Sequence, residues 1–177
     1  MAKELAFALI NPYTISKSRT GGVIGRFISR TGLELVAARM FGPSKELAEN
    51  YARILRDDKN IDADVRKILS DYVLRSYSPD PVTGNPRRVM MLLFEGEDAV
   101  SRIERVTGNI RYSTASADTV RDTYGDYILD ESGKVRYFEP AVLIAPDKPA
   151  AEAALRLWAE YSAKDGGLIE TASDLPG

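Results

Sequence analysis

Short apolar runs alternate with amphipathic segments along this chain, and that alternation restricts the fold more than any other feature of the sequence. Apolar runs at 5–10, 33–41, 89–94 and 141–145 predict four strands. Apolar residues recur at helical spacing in 21–31, 47–55, 62–77, 97–106 and 118–124, and Pro149 begins a last helix. This order predicts an α+β sandwich, in which one sheet carries helices mainly on one side. A doubly wound parallel sheet competes with it, but the chain lacks the glycine-rich phosphate loop that such folds often carry.

Two further segments interrupt the alternation. Residues 78–86 read SPDPVTGNP and predict an irregular surface loop, because proline and glycine break regular structure. Residues 127–130 and 135–138 flank a short polar stretch and predict an extra β-hairpin. A length of 177 residues fits one domain, which we expect at 1–165, followed by a C-terminal tail at 166–177.

The composition excludes several classes of chemistry. The chain contains neither cysteine nor histidine, which excludes disulfides, thiol nucleophiles, Ser-His-Asp triads and zinc sites built on imidazole. A net charge of −2 without a long run of like charges gives no indication of a nucleic-acid binder. The apolar runs are far shorter than the ~20 residues of a membrane span, and no secretory leader is evident. We therefore expect a cytoplasmic protein without membrane contact.

Three groups of charged residues are candidates for chemistry, each with an ordinary alternative. Lys17 and Arg19 precede a helix and suit an anion, although the spacing favours an ordinary solvated connection with a helix cap. Arg121 follows a long loop and has the geometry to bind phosphate, whereas pairing with Asp118 or Asp122 is the more frequent role of such an arginine. A third candidate is a carboxylate cluster for a cation, although no spacing forces its members together: Glu95, Glu139 and Asp147.

A set of short segments, in order and over most of the chain, resembles the nucleoside diphosphate kinase family. They are AFALINP at 6–12, GRF at 25–27, ELVA at 34–37, LAENY at 47–51, FEGEDAV at 94–100, DTVRD at 118–122 and AAEAALRLW at 150–158. The resemblance implies a ferredoxin-like α+β fold with a four-stranded antiparallel sheet, to which this chain adds a hairpin. It also implies nucleoside di- and triphosphates as partners, Mg²⁺ carried by the nucleotide rather than a protein metal site, and a homo-oligomer.

The resemblance also assigns the position that carries the family's chemistry. The family's phosphate-accepting histidine corresponds to Ile144, and no register supplies a histidine. The lysine that contacts phosphate in the family corresponds to Asn11, and the acid that orients the histidine corresponds to Arg53. The resemblance therefore implies a divergent member that lacks the phosphocarrier.

The positions that contact nucleotide in the family are only partly retained. Tyr51 and Arg121 match phosphate-contacting residues, and Leu69 matches an apolar residue beside the base. The aromatic residue that stacks on the base corresponds to Val65. A further family arginine aligns with Glu104, and Arg105 stands next to it.

These residues favour a nucleotide-binding protein without phosphohistidine chemistry, because covalent transfer needs a nucleophile and isoleucine is not one. One alternative is an active nucleotide phosphotransferase that uses another mechanism, with Asp147 or Glu139 as the phosphate acceptor. A second alternative is a structural subunit with an empty groove.

Overall fold

The computed structural model describes residues 2–110, 118–129, 131–132 and 135–162. The strands are β1 (Glu4–Ile10), β2 (Glu34–Phe41), β3 (Val89–Gly96), β4 (Asp126–Leu129), β5 (Val135–Glu139) and β6 (Val142–Ile144). The helices are α1 (Pro12–Ser16), α2 (Thr20–Thr31), α3 (Lys45–Asp57), α4 (Ala63–Ser76), α5 (Ala99–Thr107), α6 (Val120–Tyr124) and α7 (Lys148–Tyr161).

The main sheet has four strands in the order β2-β3-β1-β6, and every neighbouring pair is antiparallel. This arrangement confirms the predicted ferredoxin-like α+β fold. The pairing of β2 with β3 slips at a bulge between Leu35 and Ala37. β4 and β5 pair separately as an antiparallel hairpin, which confirms the extra hairpin.

Helices cover both faces of the sheet, so the expectation of helices mainly on one side is wrong. Phe94 of β3 contacts Phe27 of α2, with ring centroids 5.8 Å apart. Phe41 of β2 packs against Trp158 of α7, with centroids 5.1 Å apart. Phe41 pairs with Val89 in register, and Val89 and Phe94 point to opposite faces because they are an odd number of residues apart.

Local sequence explains where the helices begin. Ser44 accepts a hydrogen bond from the Leu47 N–H and caps α3, and Asp147 accepts one from Ala150 and caps α7. The sequence does not predict α1, a short helix within the connection at 11–22. Pro12 occupies a first helical position, where its missing N–H costs nothing. Residues 78–86 contain no helix or strand, as the prolines predicted. No helix among the described residues is long and apolar enough to cross a membrane.

Candidate functional site

Asn11 stands at the carboxyl end of β1 and is fully buried. Its backbone N–H donates to the Ala141 carbonyl at 3.1 Å. The Tyr77 hydroxyl donates to Asn11 Oδ1 at 2.7 Å. Asn11 Nδ2 is buried and has no hydrogen-bond partner. A donor in this state is costly in a folded protein unless a ligand or water receives it.

Tyr51 lies on the inner face of α3, where its hydroxyl is also buried without a partner. Its ring stacks on that of Tyr77, with centroids 6.2 Å apart and an interplanar angle of 20°. Burial raises the pKa of Tyr51, and the nearby charge of Arg121 opposes that rise. The hydroxyl therefore keeps its proton at neutral pH and can donate it to an acceptor.

Arg121, from α6, is only 6% exposed. Its Nη1 donates to the Gly108 carbonyl at 2.8 Å and its Nη2 to the Val142 carbonyl at 3.1 Å, while its Nε has no partner. Burial lowers the pKa of Arg121 to about 10, so the side chain remains charged at neutral pH. The predicted alternative was an exposed arginine paired with Asp118 or Asp122. Arg121 is instead buried, and Asp118 pairs with Arg26 and Arg30.

The turn beneath Asn11 adopts an uncommon backbone conformation. Ala141 has a φ of 63°, and the Val142 N–H donates to the Pro140 carbonyl at 2.7 Å across it. The Ala141 carbonyl in turn accepts from the Thr14 hydroxyl at 2.8 Å. This turn positions the Ala141 carbonyl, which accepts from the Asn11 N–H, and it directly precedes β6.

Val65 and Leu69 lie one helical turn apart on α4 and are both buried. The same helix carries Tyr72, and Tyr77 caps its end. α4 therefore joins the two residues expected beside a base to the tyrosine that contacts Asn11 and Tyr51.

The structure does not bring Arg105 to these residues. Arg105 is exposed and lines a different cavity, of about 260 Å³, together with Arg30, Arg102 and Asp98. Its neighbour Glu104 is exposed as well. Arg105 therefore lies outside the candidate site.

Lys17 and Arg19 do not form an anion site together. Arg19 Nη1 bonds to Asp126 Oδ2 at 2.8 Å and to the Tyr124 carbonyl at 3.0 Å. Lys17 is exposed, with its ammonium 5.4 Å from the centre of the Tyr13 ring. The ordinary reading, a structured connection, fits these contacts.

Ile144, Asp147 and Glu139 each contact different residues. Ile144 pairs with Ala8 across β6 and β1. Asp147 caps α7 and also accepts from Asn60 Nδ2 at 2.8 Å. Glu139 is 6% exposed and accepts from the Tyr72 hydroxyl at 2.5 Å; burial raises the pKa of Glu139, and the Tyr72 bond opposes that rise.

The third candidate carboxylate, Glu95, has its own partner. Glu95 lies 3.6 Å from Lys3, apart from the partners of Glu139 and Asp147. Within the described residues, no three acidic side chains come together in a way that would hold a metal ion.

Tyr77 is the residue of this site that the sequence did not reveal. Its position at the end of an amphipathic helix indicates only a core aromatic side chain, and the hydrogen bond to Asn11 joins residues 66 positions apart. Helical periodicity carries no information about a contact of that range.

The chain matches the family model described as nucleoside diphosphate kinase over residues 4–133, which ends before β6. It is 32% identical to the nucleoside diphosphate kinase of Legionella pneumophila (strain Philadelphia 1) over 128 residues, which are 72% of this chain and 79% of that protein. It is 30% identical to the nucleoside diphosphate kinase of Symbiobacterium thermophilum over 156 residues, covering 88% of this chain and 86% of that protein.

Solved structures share the fold. A nucleoside-diphosphate kinase from Borrelia burgdorferi with bound vanadate and ADP superposes with a TM-score of 0.66 at 17% identity, over 88% of this chain and 86% of that one. A halophilic nucleoside diphosphate kinase from Halobacterium salinarum in complex with CDP gives a TM-score of 0.61 at 17% identity, over 96% and 93% of the two chains.

Proposed function

The chain belongs to the nucleoside diphosphate kinase family, and we propose that it binds nucleoside di- and triphosphates without transferring phosphate through a histidine. The observation that carries this proposal is the set of buried donors around Tyr77: Asn11 Nδ2, the Tyr51 hydroxyl and Arg121 Nε, none of which has a partner. Ionised phosphate oxygens are acceptors, so a phosphate group matches the chemistry of these donors.

Two features of the sequence support the absence of phosphohistidine chemistry in this proposal. No residue of the chain is a histidine, and the position that the resemblance gives to the phosphate acceptor holds Ile144. Ping-pong transfer requires a side chain that takes and returns the phosphoryl group. An aliphatic side chain offers no lone pair for that step.

A carboxylate acceptor is the alternative mechanism, and the contacts argue against it. Asp147 uses one oxygen to cap α7 and the other to accept from Asn60. Glu139 is buried against Tyr72, and its raised pKa reflects a carboxylate that is disfavoured in its charged form. Either group would have to leave its partner before it could attack phosphorus.

The relatives support nucleotides as the ligand class, since one similar structure holds ADP with vanadate and another holds CDP. In this chain Arg121 would stabilise the phosphate charge, Tyr51 and Asn11 would donate to its oxygens, and Val65 with Leu69 would face the base. Any Mg²⁺ would arrive with the nucleotide. We also propose that the protein self-associates in the cytoplasm.

Tyr51→Phe tests the proposal because it removes only the unpaired hydroxyl. If that hydroxyl serves a phosphate, calorimetry should show ADP binding weakened about fivefold or more. The stability to urea should stay equal or rise, because an unsatisfied buried donor has been removed. Ile144→Val is the matched control and should leave ADP affinity unchanged. Absence of ADP binding by the wild type at millimolar concentration would favour a structural subunit with an empty groove.

Incubation with ATP, followed by intact mass measurement under alkaline and acidic conditions, tests the missing transfer. We expect no phosphorylated protein and no NDP-dependent exchange of phosphate. An acid-stable or hydroxylamine-sensitive adduct together with exchange would instead support a transferase that uses a different acceptor.

A further inference from the structure

Tyr77 is packed among three aromatic rings in the interior. The residue is fully buried. Its ring stacks on Tyr51, and it meets the rings of Tyr72 and Trp158 at 73° and 77°, with centroids 6.3 Å and 6.2 Å away. Three aromatic neighbours leave the ring no room to turn aside, so its hydroxyl oxygen is a fixed point in the interior.

This fixed hydroxyl determines what Asn11 can do. A side-chain amide presents an acceptor at one end and two donors at the other. Because the Tyr77 hydroxyl donates to Oδ1 at 2.7 Å, the oxygen end of the amide faces Tyr77. The donor end, Nδ2, is thereby held on the opposite side, buried and without a protein partner. Without the hydroxyl, either end of the amide could take either direction.

Tyr77 also stacks on Tyr51, the side chain that carries the second unpaired donor. Its stacking on Tyr51 limits the directions in which the unpaired Tyr51 hydroxyl can lie. The charge of Arg121 is close enough to lower the pKa of Tyr77, although burial raises that pKa on balance. Tyr77 thus contacts two of the three side chains that carry the buried donors and lies within electrostatic reach of the third.

We propose that Tyr77 is a positioning residue for phosphate: it locks the Asn11 amide with Nδ2 toward the ligand and braces Tyr51 beside it. The proposal rests on the proposed nucleotide function and adds the means by which a neutral amide acts as an oriented donor. Tyr77 itself makes no contact with the ligand. Its hydroxyl proton is already given to Asn11.

Tyr77→Phe is the test, since it keeps the ring and removes the hydroxyl. Calorimetry should show ADP binding weakened about fivefold, whereas adenosine, which has no phosphate, should bind as it does to the wild type. In the Asn11→Ala background the same substitution should have no further effect on ADP, because Tyr77 acts through Asn11. Equal weakening of ADP and adenosine, or an undiminished effect in the Asn11→Ala background, would overturn the proposal.

Tyr161→Phe is the matched control. It also removes a tyrosine hydroxyl bonded to an asparagine amide, because Asn50 Nδ2 donates to the Tyr161 hydroxyl at 3.0 Å. We expect it to leave ADP affinity unchanged. A loss of affinity equal to that of Tyr77→Phe would mean that any such deletion acts through general loosening of the fold.

The amide signals of Asn11 in a ¹H–¹⁵N spectrum separate this inference from the proposed function. Once assigned by their absence in Asn11→Ala, they should shift in Tyr77→Phe and remain in place in Tyr161→Phe. Unchanged Asn11 signals in Tyr77→Phe would refute the lock whether or not ADP binds. Shifted signals in a protein that binds no ADP would leave the lock standing and refute the nucleotide function.

Discussion

The interior site and the cavity between α2 and α5 contain the same kinds of group in opposite surroundings. The interior holds Arg121, Glu139 and, with a φ of 63°, Ala141, all buried. The cavity holds an exposed arginine, Arg105, and an exposed carboxylate, Asp98, which itself has a φ of 52°. Burial gives the interior groups fixed partners and, for Arg121 and Glu139, displaced pKa values. Residue type alone therefore says little about which arginine or carboxylate matters.

The largest contrast should come from the two arginines. Arg121→Ala removes charged hydrogen bonds to two carbonyls, each worth ~1.5–3 kcal/mol, so we expect the free energy of unfolding to fall by about 3 kcal/mol or more. Arg105→Ala removes an exposed side chain and should stay within about 0.5 kcal/mol of the wild type. Urea unfolding at neutral pH measures both. Similar losses of unfolding free energy in the two variants would show that the buried and the exposed arginine contribute equally to stability.

The carboxylates should differ in how stability depends on pH. Burial raises the pKa of folded Glu139 above its ordinary 4.5. Glu139 therefore contributes stability that is fully present below pH 4.5 and is lost as pH rises through the folded pKa. Glu139→Gln should abolish this loss of stability between pH 4 and 7, as measured by the urea midpoints at the two pH values. Asp98→Asn, the exposed counterpart, should leave this loss as it is, and a reversed result would show that Glu139 is not desolvated.

The smallest contrast concerns the positive-φ residue of each region, Ala141 in the interior and Asp98 at the cavity. A left-handed conformation costs an alanine ~1–2 kcal/mol. A glycine avoids this steric cost but loses more conformational entropy when the chain folds, so the net gain is smaller. Ala141→Gly should therefore raise the free energy of unfolding by about 0.5 kcal/mol. Asp98→Gly should gain less, because aspartate visits this conformation more readily. Thermal melts of the paired variants can rank them, and a loss of stability in Ala141→Gly would mean that its methyl group packs better than its backbone is strained.

Much of the fold was predictable because its signals are local. The apolar run at 5–10 and the helical spacing in 62–77 each depend on neighbouring residues, and both elements are present as β1 and α4. The placement of helices on both faces was not predictable, because it depends on which face of β3 meets which helix. Phe94 and Val89 are both apolar, and the sequence cannot show that one meets α2 and the other lies on the α7 side.

The site was predictable only where family resemblance supplied it. Asn11, Tyr51 and Arg121 lie in one interior cluster linked through Tyr77. Arg105 does not join them, since one residue along a helix turns a side chain by 100° and moves it to another surface. No sequence signal predicts the hydrogen bond from Tyr77 to Asn11. Asn11 follows the apolar run of β1 and Tyr77 ends the apolar face of α4, and neither pattern indicates that the two side chains meet.

The bulge in β2 bears on how copies of this protein avoid aggregation. β2 lies at the edge of the main sheet, and among the described residues no strand pairs with its outer side. A straight edge of eight residues would be a template for unlimited stacking of chains, as in amyloid. The slip between Leu35 and Ala37 bends that edge, and Glu34 and Arg39 place charges along it. A bent and charged edge of this kind disfavours continuous stacking of further strands.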